Sequence, residues 1–408
     1  MGPHRLAQPI DEYRRHHSWG VHLMNSFGPR IVLGSTLSAA TLLGFALPAQ
    51  AIDFKISGQV DRAMIAADNG EDSDIGFVDN VGSNSRFRFT GDQALDNGMT
   101  LGFAYEIGLN ENTSTSFDVN NGGGDNGDFL DNRLANIYLE GNFGRLTFGK
   151  LDGAGNGSSE LNYSGAMYLG GGNAASFYHA GISFLDNDGN TITNLSGALN
   201  PFDSLSRQNA VRYDTPSIGG AVLSASLDNG HAYELAGRYE SDFANGGKFG
   251  LVGVYLDSQS QSRDIEPDGT VINDGARFQE AGGSASLLLP SGLNFTGSYK
   301  HRNYKNGDPS ADNYYASVGY IIDKHHFELS YNQTNDLLND GSEASGYGLA
   351  YVYNWMKSVE LYASYHLYTL DNADFTNKDD AGNVVSSGSD VDAQDINALY
   401  LGTRLKFL

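Results

Sequence analysis

Arg86 and Arg88 alternate with Phe87 and Phe89 in the stretch "NSRFRFTGD". In an extended strand, side chains two positions apart share a face, so both guanidinium groups point one way and both rings point the other. Fixed charges in a confined space act on ions and polar solutes through their electric field and need no covalent step. This pair therefore predicts an electrostatic site.

The same alternation places other charged side chains opposite apolar ones. Val211 and Tyr213 oppose Arg212 and Asp214, and Leu235 opposes a further arginine. The candidate basic side chains are Arg86, Arg88, Arg145, Arg212 and Arg238, together with Arg133, whose direction the alternation leaves undetermined at a strand start. The candidate acidic side chains are Glu106 and, in one long stretch, Asp152, Glu160, Asp186, Asp188 and Asp203. A field between the two sets would orient dipolar solutes; alternatively, the arginines pair with Glu106 and Asp214 and stiffen a wall.

Motifs for catalysis are missing from the sequence. There is no G-x-S-x-G, H-E-x-x-H, Walker A or dinucleotide fingerprint. The chain has no cysteine, which excludes disulfides and thiolate chemistry. Its formal net charge of −24 would repel nucleic acid, so we expect no such partner. No cofactor is expected.

The elements that must hold these charges are strands. Glycine (52), Tyr (23) and Phe (21) are abundant and proline is scarce (9), a composition that favours strands and turns over helices. Period-two alternation predicts sixteen strands, near residues 54–66, 84–92, 99–109, 132–142, 145–151, 207–215, 220–229, 232–240, 247–257, 277–289, 292–302, 313–322, 325–334, 344–354, 358–369 and 395–407.

The connections between these strands alternate in length. Tight turns such as Asn142 to Gly144 and Pro290-Ser291 alternate with long polar stretches such as Asp152 to Ser206 and Leu370 to Gln394. Short turns on one rim and long loops on the other are typical of an outer-membrane barrel. Lipid cannot hydrogen-bond an open sheet edge, so the first and last strands must pair. The sequence therefore predicts an all-β transmembrane antiparallel barrel of about sixteen strands, wide enough for an aqueous lumen.

The amino-terminal region predicts export. Ile31 to Ala51 is apolar, contains Pro48 and ends in Ala49-Gln50-Ala51, a small-x-small cleavage pattern. Residues 1–51 are thus expected to be a signal peptide with an atypical extension, translation starting at Met1 or Met24, and residues 52–408 the barrel domain. A signal anchor is the alternative.

Four stretches make the chain resemble the general diffusion porins of Gram-negative outer membranes. They are Asn84 to Glu106, Arg133 to Lys150, Ser206 to Gly220 and the terminal strand carrying Phe407. The resemblance implies a homotrimer in outer-membrane lipid and lipopolysaccharide, with one pore per subunit. It also implies that the third external loop, residues 152–206, folds inward and narrows the pore, and that a basic residue lies near Arg133. The expected function is passive diffusion of ions and small hydrophilic solutes.

Alternatives remain open at this point. One is a channel tuned to a nutrient, another is a barrel enzyme such as a lipid hydrolase, and a third is a soluble, secreted β-rich binding protein. Calcium is conceivable at Asp186 to Asn190 and at Asn120 to Asp128, although turn and loop chemistry explains both stretches. His325-His326 is expected to be solvent-exposed at a short turn, and Tyr353, Tyr368 and Tyr400 suit aromatic girdles at the membrane interface.

Overall fold

A computed structural model describes residues 52–119, 129–173, 175–259, 263–265, 271–274, 277–305, 309–379 and 382–407. They belong to one compact unit, Gln50–Leu408. The predicted signal peptide and Asn120 to Asp128 lie outside the described residues. In the part of the chain that is described, no helix is both long and apolar enough to cross a membrane.

The strands follow the predicted order. Their bounds are β1 Asp53–Asp68, β2 Ser73–Asp79, β3 Arg86–Ala94, β4 Thr100–Leu109, β5 Leu130–Gly141, β6 Gly144–Asp152, β7 Ser183–Leu185, β8 Thr191–Asn194, β9 Arg207–Asp214, β10 Ala221–Asp228, β11 Tyr233–Asp242, β12 Lys248–Asp257, β13 Arg263–Ile265, β14 Val271–Asp274, β15 Phe278–Leu288, β16 Leu293–Tyr304, β17 Ala311–Ile322, β18 His325–Asn335, β19 Glu343–Met356, β20 Val359–Asp371, β21 Ala373–Lys378, β22 Val384–Val391 and β23 Ile396–Phe407. Short helical turns are α1 Ala175–Tyr178, α2 Leu195–Ala198, and the 3₁₀ turns Val81–Ser83 and Ser114–Ser116.

Within the described ranges, sixteen strands pair antiparallel into a closed ring. The order around the ring is β1, β3, β4, β5, β6, β9, β10, β11, β12, β15, β16, β17, β18, β19, β20 and β23. The ring closes where β1 pairs with β23, from Gly58 opposite Phe407 to Asp68 opposite Asn397. Each predicted strand corresponds to one of these sixteen, so the predicted barrel is confirmed.

The two faces of the sheet differ as the alternation predicted. Leu349 and Phe295 are 51% and 43% exposed, whereas Thr296, next to Phe295 in sequence, is 6% exposed. The exposed face is apolar, as a barrel surrounded by lipid requires. We call the opposite face the inner face, the rim of tight turns such as residues 142–143 the short-turn rim, and the other the long-loop rim.

The second wall strand is interrupted, which the sequence did not predict. β1 pairs with β3 along residues 53–59 and with β2 along residues 62–68, and residues 80–85 leave the sheet between the two. Gly82 lies against the Tyr178 ring, where an added Cβ would stand 1.9 Å from a ring carbon. Asn80 Nδ2 donates to the Tyr168 carbonyl at 3.1 Å. The interruption therefore packs against the 152–206 stretch.

Residues 153–206, hereafter the long segment, contribute to an apolar core on the inner face. Its members from the long segment include Leu169, Tyr178, Ile182, Phe184, Leu195 and Leu199, and from the wall Ile65, Ala350, Val352, Tyr368, Ile396 and Tyr400. The girdle prediction is therefore wrong for Tyr368 and Tyr400, which are 0% exposed. The physical reason is that β19, β20, β23 and β1 carry apolar side chains on both faces. One face forms the exterior of the barrel, and the other packs against the long segment.

Candidate functional site

Three arginines and one carboxylate form the central charge cluster of the inner face. Arg86 and Arg88 lie on β3, and Glu106 lies on β4 directly opposite Arg88. Glu106 Oε1 is 2.7 Å from Arg133 Nε and 3.3 Å from Arg86 Nη1, and Oε2 is 3.7 Å from Arg88 Nε. Glu106 is buried, but the Arg88 side chain remains 47% exposed. The cluster thus combines a buried anion with a guanidinium that faces open space.

Arg133 reaches this cluster through a β-bulge. Glu106 pairs with Leu134 and Ile107 pairs with Asn132, so Arg133 is the extra residue. A bulge redirects the side chain of the unpaired residue. Alternation alone left the direction of Arg133 undetermined, and the bulge is the reason.

Two further predicted arginines hold the start of the long segment. Arg212 forms an ion pair of 2.8 Å with Asp214 and donates to the carbonyls of Asp152 and Gly153 at 3.3 and 3.0 Å. Arg238 donates to the carbonyls of Ala154 and Asn156, both at 2.7 Å. Because both guanidinium groups donate hydrogen bonds to backbone carbonyls, they position the start of the long segment as well as adding positive charge to the inner face.

Arg145 lies apart from the cluster, near the short-turn rim. Its Cζ stands 3.6 Å from the centre of the Tyr138 ring, a cation–π contact, and Nη1 is 3.8 Å from Glu140. Lys150, at the root of the long segment, is 3.9 Å from Asp131. The structure does not bring Arg145 to Glu106.

A buried ion network that the sequence did not reveal clamps both ends of the long segment. Lys300 Nζ is 2.8 Å from Glu280 Oε1, and both side chains are 0% exposed. Lys300 also donates to Ser158 Oγ and Ser204 Oγ at 2.9 and 3.0 Å. Glu234 accepts from the amides of Gly155 and Leu205 at 3.1 and 2.9 Å. Both ends of the segment, near residues 155–158 and 204–205, are therefore anchored to the inner face of β11, β15 and β16.

The middle of the long segment is held by another strand of the wall. Glu328 on β18 accepts from Asn162 Nδ2 at 2.9 Å, the Gly172 amide at 2.6 Å and Ser164 Oγ. On the same strand, His326 Nδ1 donates to the Ser164 carbonyl at 3.1 Å and Nε2 accepts from Asn354 at 2.8 Å. His326 is thus half-buried and bonded, contrary to the expected simple exposure.

The predicted acidic side chains of the long segment occupy different places. Asp203 accepts from the amides of Gly157 and Ser159 at 2.7 and 2.9 Å, and Glu160 accepts from Tyr168 Oη at 3.0 Å. Burial and the neighbouring Asp203 raise the pKa of Glu160 to about 8. Burial also raises the pKa of Asp203 to about 6. Both carboxyl groups therefore hold a proton to higher pH than exposed carboxyl groups do.

Asp186 and Asp188 belong to the turn between β7 and β8. The Asp186 carboxylate accepts from the amides of Asp188 and Asn190 at 2.9 and 2.8 Å, the geometry of an Asx turn. Gln394, in a connection of the long-loop rim, donates to the Asp186 carbonyl at 2.9 Å. These two carboxylates are not brought to the arginine cluster. Among the described residues, no group of three or more His, Asp or Glu side chains is placed to hold a metal ion.

The closed ring of sixteen described strands, apolar outside and charged inside, defines a transmembrane β-barrel of the outer-membrane type. Residues 36–373 match the family described as Gram-negative porin. The chain belongs to this family, and it is a passive outer-membrane diffusion channel.

Solved outer-membrane proteins share the fold. An anion-selective porin from Comamonas acidovorans superposes with a TM-score of 0.57 and 18% identity, over 88% of this chain and 100% of that chain. OmpT of Vibrio cholerae in its trimer form superposes with a TM-score of 0.56 and 16% identity, again over 88% and 100%. No curated protein matches the sequence.

Proposed function

We propose that the channel conducts ions and small hydrophilic solutes through a passage bounded by the Arg86, Arg88, Arg133 and Glu106 cluster and by the long segment. The observation that carries this proposal is the tethering of the long segment to widely separated strands of the inner face. Glu234 on β11 binds its ends, whereas His366 on β20, seven strands further round the ring of sixteen, donates from Nε2 to the Gly170 carbonyl at 2.7 Å. A segment held in this way crosses the lumen and narrows it.

The described charges support a preference for anions at this passage. Arg88 is half exposed and shares Glu106 with two other guanidinium groups, so positive charge exceeds negative charge locally. Burial and Asp203 raise the pKa of Glu160, an acidic side chain of the long segment, to about 8, so Glu160 offsets this positive charge less than an ordinary glutamate would. Fixed charges act strongly where water is confined and screening is poor.

The test is planar-bilayer recording with the purified protein in a KCl gradient. We expect a reversal potential that indicates anion preference, and Arg86→Ala with Arg88→Ala should move it toward cation preference. Arg62→Ala, on β1 beside the exposed Glu111 near the long-loop rim, is the matched control and should leave it unchanged. If the double variant keeps both the conductance and the reversal potential of the parent, these two residues do not line the passage.

We also propose that the protein works as a homotrimer without catalytic activity or cofactor. The trimer form of the similar OmpT supports the homotrimer. The absence of catalytic motifs from the sequence supports a protein without catalytic activity. Conductance steps grouped in threes would support a trimer, whereas single unrelated steps would contradict it. Lipid hydrolysis that a serine-reactive inhibitor abolishes would contradict the non-enzymatic proposal.

A further inference from the structure

Basic side chains of neighbouring strands meet at one level of the inner face near the short-turn rim. Register places Lys406 of β23 opposite Gln59 of β1, and Gln59 opposite Arg86 of β3. Arg404 lies two positions before Lys406 and therefore shares its face. We call Arg86, Arg88, Arg133, Arg404 and Lys406 the basic belt.

Donors outnumber acceptors in the basic belt. Glu106 is shared by Arg86, Arg88 and Arg133, and Glu360 is shared by Arg404 and Lys406 at 2.6 and 2.8 Å. Among the described side chains, two carboxylates thus form all the ion pairs of these five cations. Uncompensated positive charge in a partly buried site favours the uptake of an anion.

Ser83, in the interruption between β2 and β3, lies between two guanidinium groups of the basic belt. Its Oγ lies within hydrogen-bond distance of Gln59 Nε2 at 2.8 Å, Arg86 Nη2 at 3.1 Å and Arg404 Nη1 at 2.7 Å. A hydroxyl oxygen has two lone pairs, so it cannot satisfy three donors at once. Gln59 Nε2 also donates to the carbonyls of Ser83 and Asn84 at 2.6 and 3.0 Å, so the two lone pairs of the hydroxyl serve Arg86 and Arg404.

A cavity opens directly on these groups. Its volume is about 500 Å³, and the charged side chains that line it are four cations, Arg86, Arg88, Lys357 and Lys406, and one carboxylate, Glu106. Lys357, in the turn between β19 and β20, is exposed and forms no ion pair with any residue in the described ranges. Since a water molecule takes about 30 Å³, the cavity holds a small oxyanion together with part of its hydration shell.

We propose that this cavity is a binding subsite for small multivalent oxyanions at the short-turn mouth of the channel, with Lys357, Lys406 and Arg88 as the groups that contact them. The proposal rests on the proposed anion-preferring passage. A dianion contacts several of these cations at once through charge-assisted hydrogen bonds, which a chloride ion cannot do. Such an anion is held longer than chloride and therefore reduces the chloride current while it is bound.

The experiment measures block of the KCl current in planar bilayers, with inorganic phosphate or succinate added to each chamber in turn. We expect saturable block, stronger from one chamber because the cavity lies at one mouth. Lys357→Gln with Lys406→Gln should raise the half-blocking concentration about tenfold or more, since hydrogen bonds to charged groups are lost. Lys324→Gln, in the turn between β17 and β18 on the same rim, is the matched control and should not change it.

The outcomes separate the subsite from the channel itself. Block by phosphate alone assigns the subsite to phosphate-like anions, and block by both probes assigns it to dianions in general. A channel that conducts KCl normally but is blocked by neither probe, or is blocked equally in the parent and the double variant, overturns the subsite and leaves the channel intact. Absence of KCl conductance in the parent overturns the proposed function and the subsite with it.

Discussion

Arg133 Nε lies 2.7 Å from Glu106 Oε1, although alternation along the sequence left the direction of the Arg133 side chain undetermined. The β-bulge at Arg133 turns this side chain toward the inner face. One extra residue thereby gives Glu106 a third guanidinium partner. Consequences of this arrangement can be measured on the channel.

Replacing Glu106 by Gln should increase anion preference. The change removes the negative charge that Arg86, Arg88 and Arg133 share and leaves their positive charges in place. The reversal potential in a KCl gradient is the measurement. Glu111→Gln, whose parent carboxylate is exposed and pairs with Arg62, is the control. An unchanged reversal potential in Glu106→Gln would show that this cluster does not act on the permeating ions.

Lys300→Met should destabilise the barrel by about 3 kcal/mol, because removal of one partner leaves a buried carboxylate poorly compensated. Glu280 retains Arg302 at 2.9 Å, so we expect the lower end of the range for broken buried pairs. Denaturant unfolding in detergent micelles measures the change. Lys324→Met, an exposed lysine near the short-turn rim, should leave the midpoint close to that of the parent. Equal midpoints for the two variants would contradict the clamp.

Glu328→Gln should loosen the middle of the long segment. Gln offers one carbonyl oxygen where Glu328 offers two carboxylate oxygens to Asn162, Ser164, Gly172 and Tyr315. The chain has no cysteine, so Met167→Cys gives a single site for a water-soluble maleimide. Labelling should be faster with Glu328→Gln than without it. Glu343→Gln, at the start of β19, is the control; labelling at the parent rate in Glu328→Gln would disprove the tether.

The ion preference should depend on pH through Glu160. Its pKa is raised from 4.5 to about 8, chiefly by burial and secondly by Asp203, so the carboxyl group ionises as the pH rises from 7 to 9. Anion preference should fall over that interval, and Glu160→Gln should remove the fall. The stability that the neutral carboxyl contributes is full below about pH 4.5 and is lost as the pH rises through about 8. An identical pH profile in Glu160→Gln would exclude this group.

The sequence predicted the ring because period two is a local signal that each strand carries by itself. It assigned Arg86, Arg88, Arg212 and Arg238 to the polar face for the same reason. It missed the Arg133 bulge and the interruption at residues 80–85, since both depend on how two strands align.

The sequence of β23 contains a local signal for the apolar core of the inner face. Ala398 and Tyr400 share one face of β23, and Leu399 and Leu401 share the other, so neither face is polar along residues 398–401. A strand in contact with water on one side would not carry this pattern. The long segment covers the second face. The clamps by Lys300, Glu234 and Glu328 join residues far apart in sequence, and no local pattern indicates them.

The apolar packing of the long segment also bears on how the protein assembles. Its side chains Phe184, Ile182 and Leu195 are fully covered by other side chains once the ring is closed. If the barrel closed without the long segment inside it, the wall strands β19, β20, β23 and β1 would expose apolar side chains to the water in the lumen. The hydrophobic effect disfavours that state. We therefore expect ring closure and seating of the segment to occur as one cooperative event, so that the cylinder is completed around its contents.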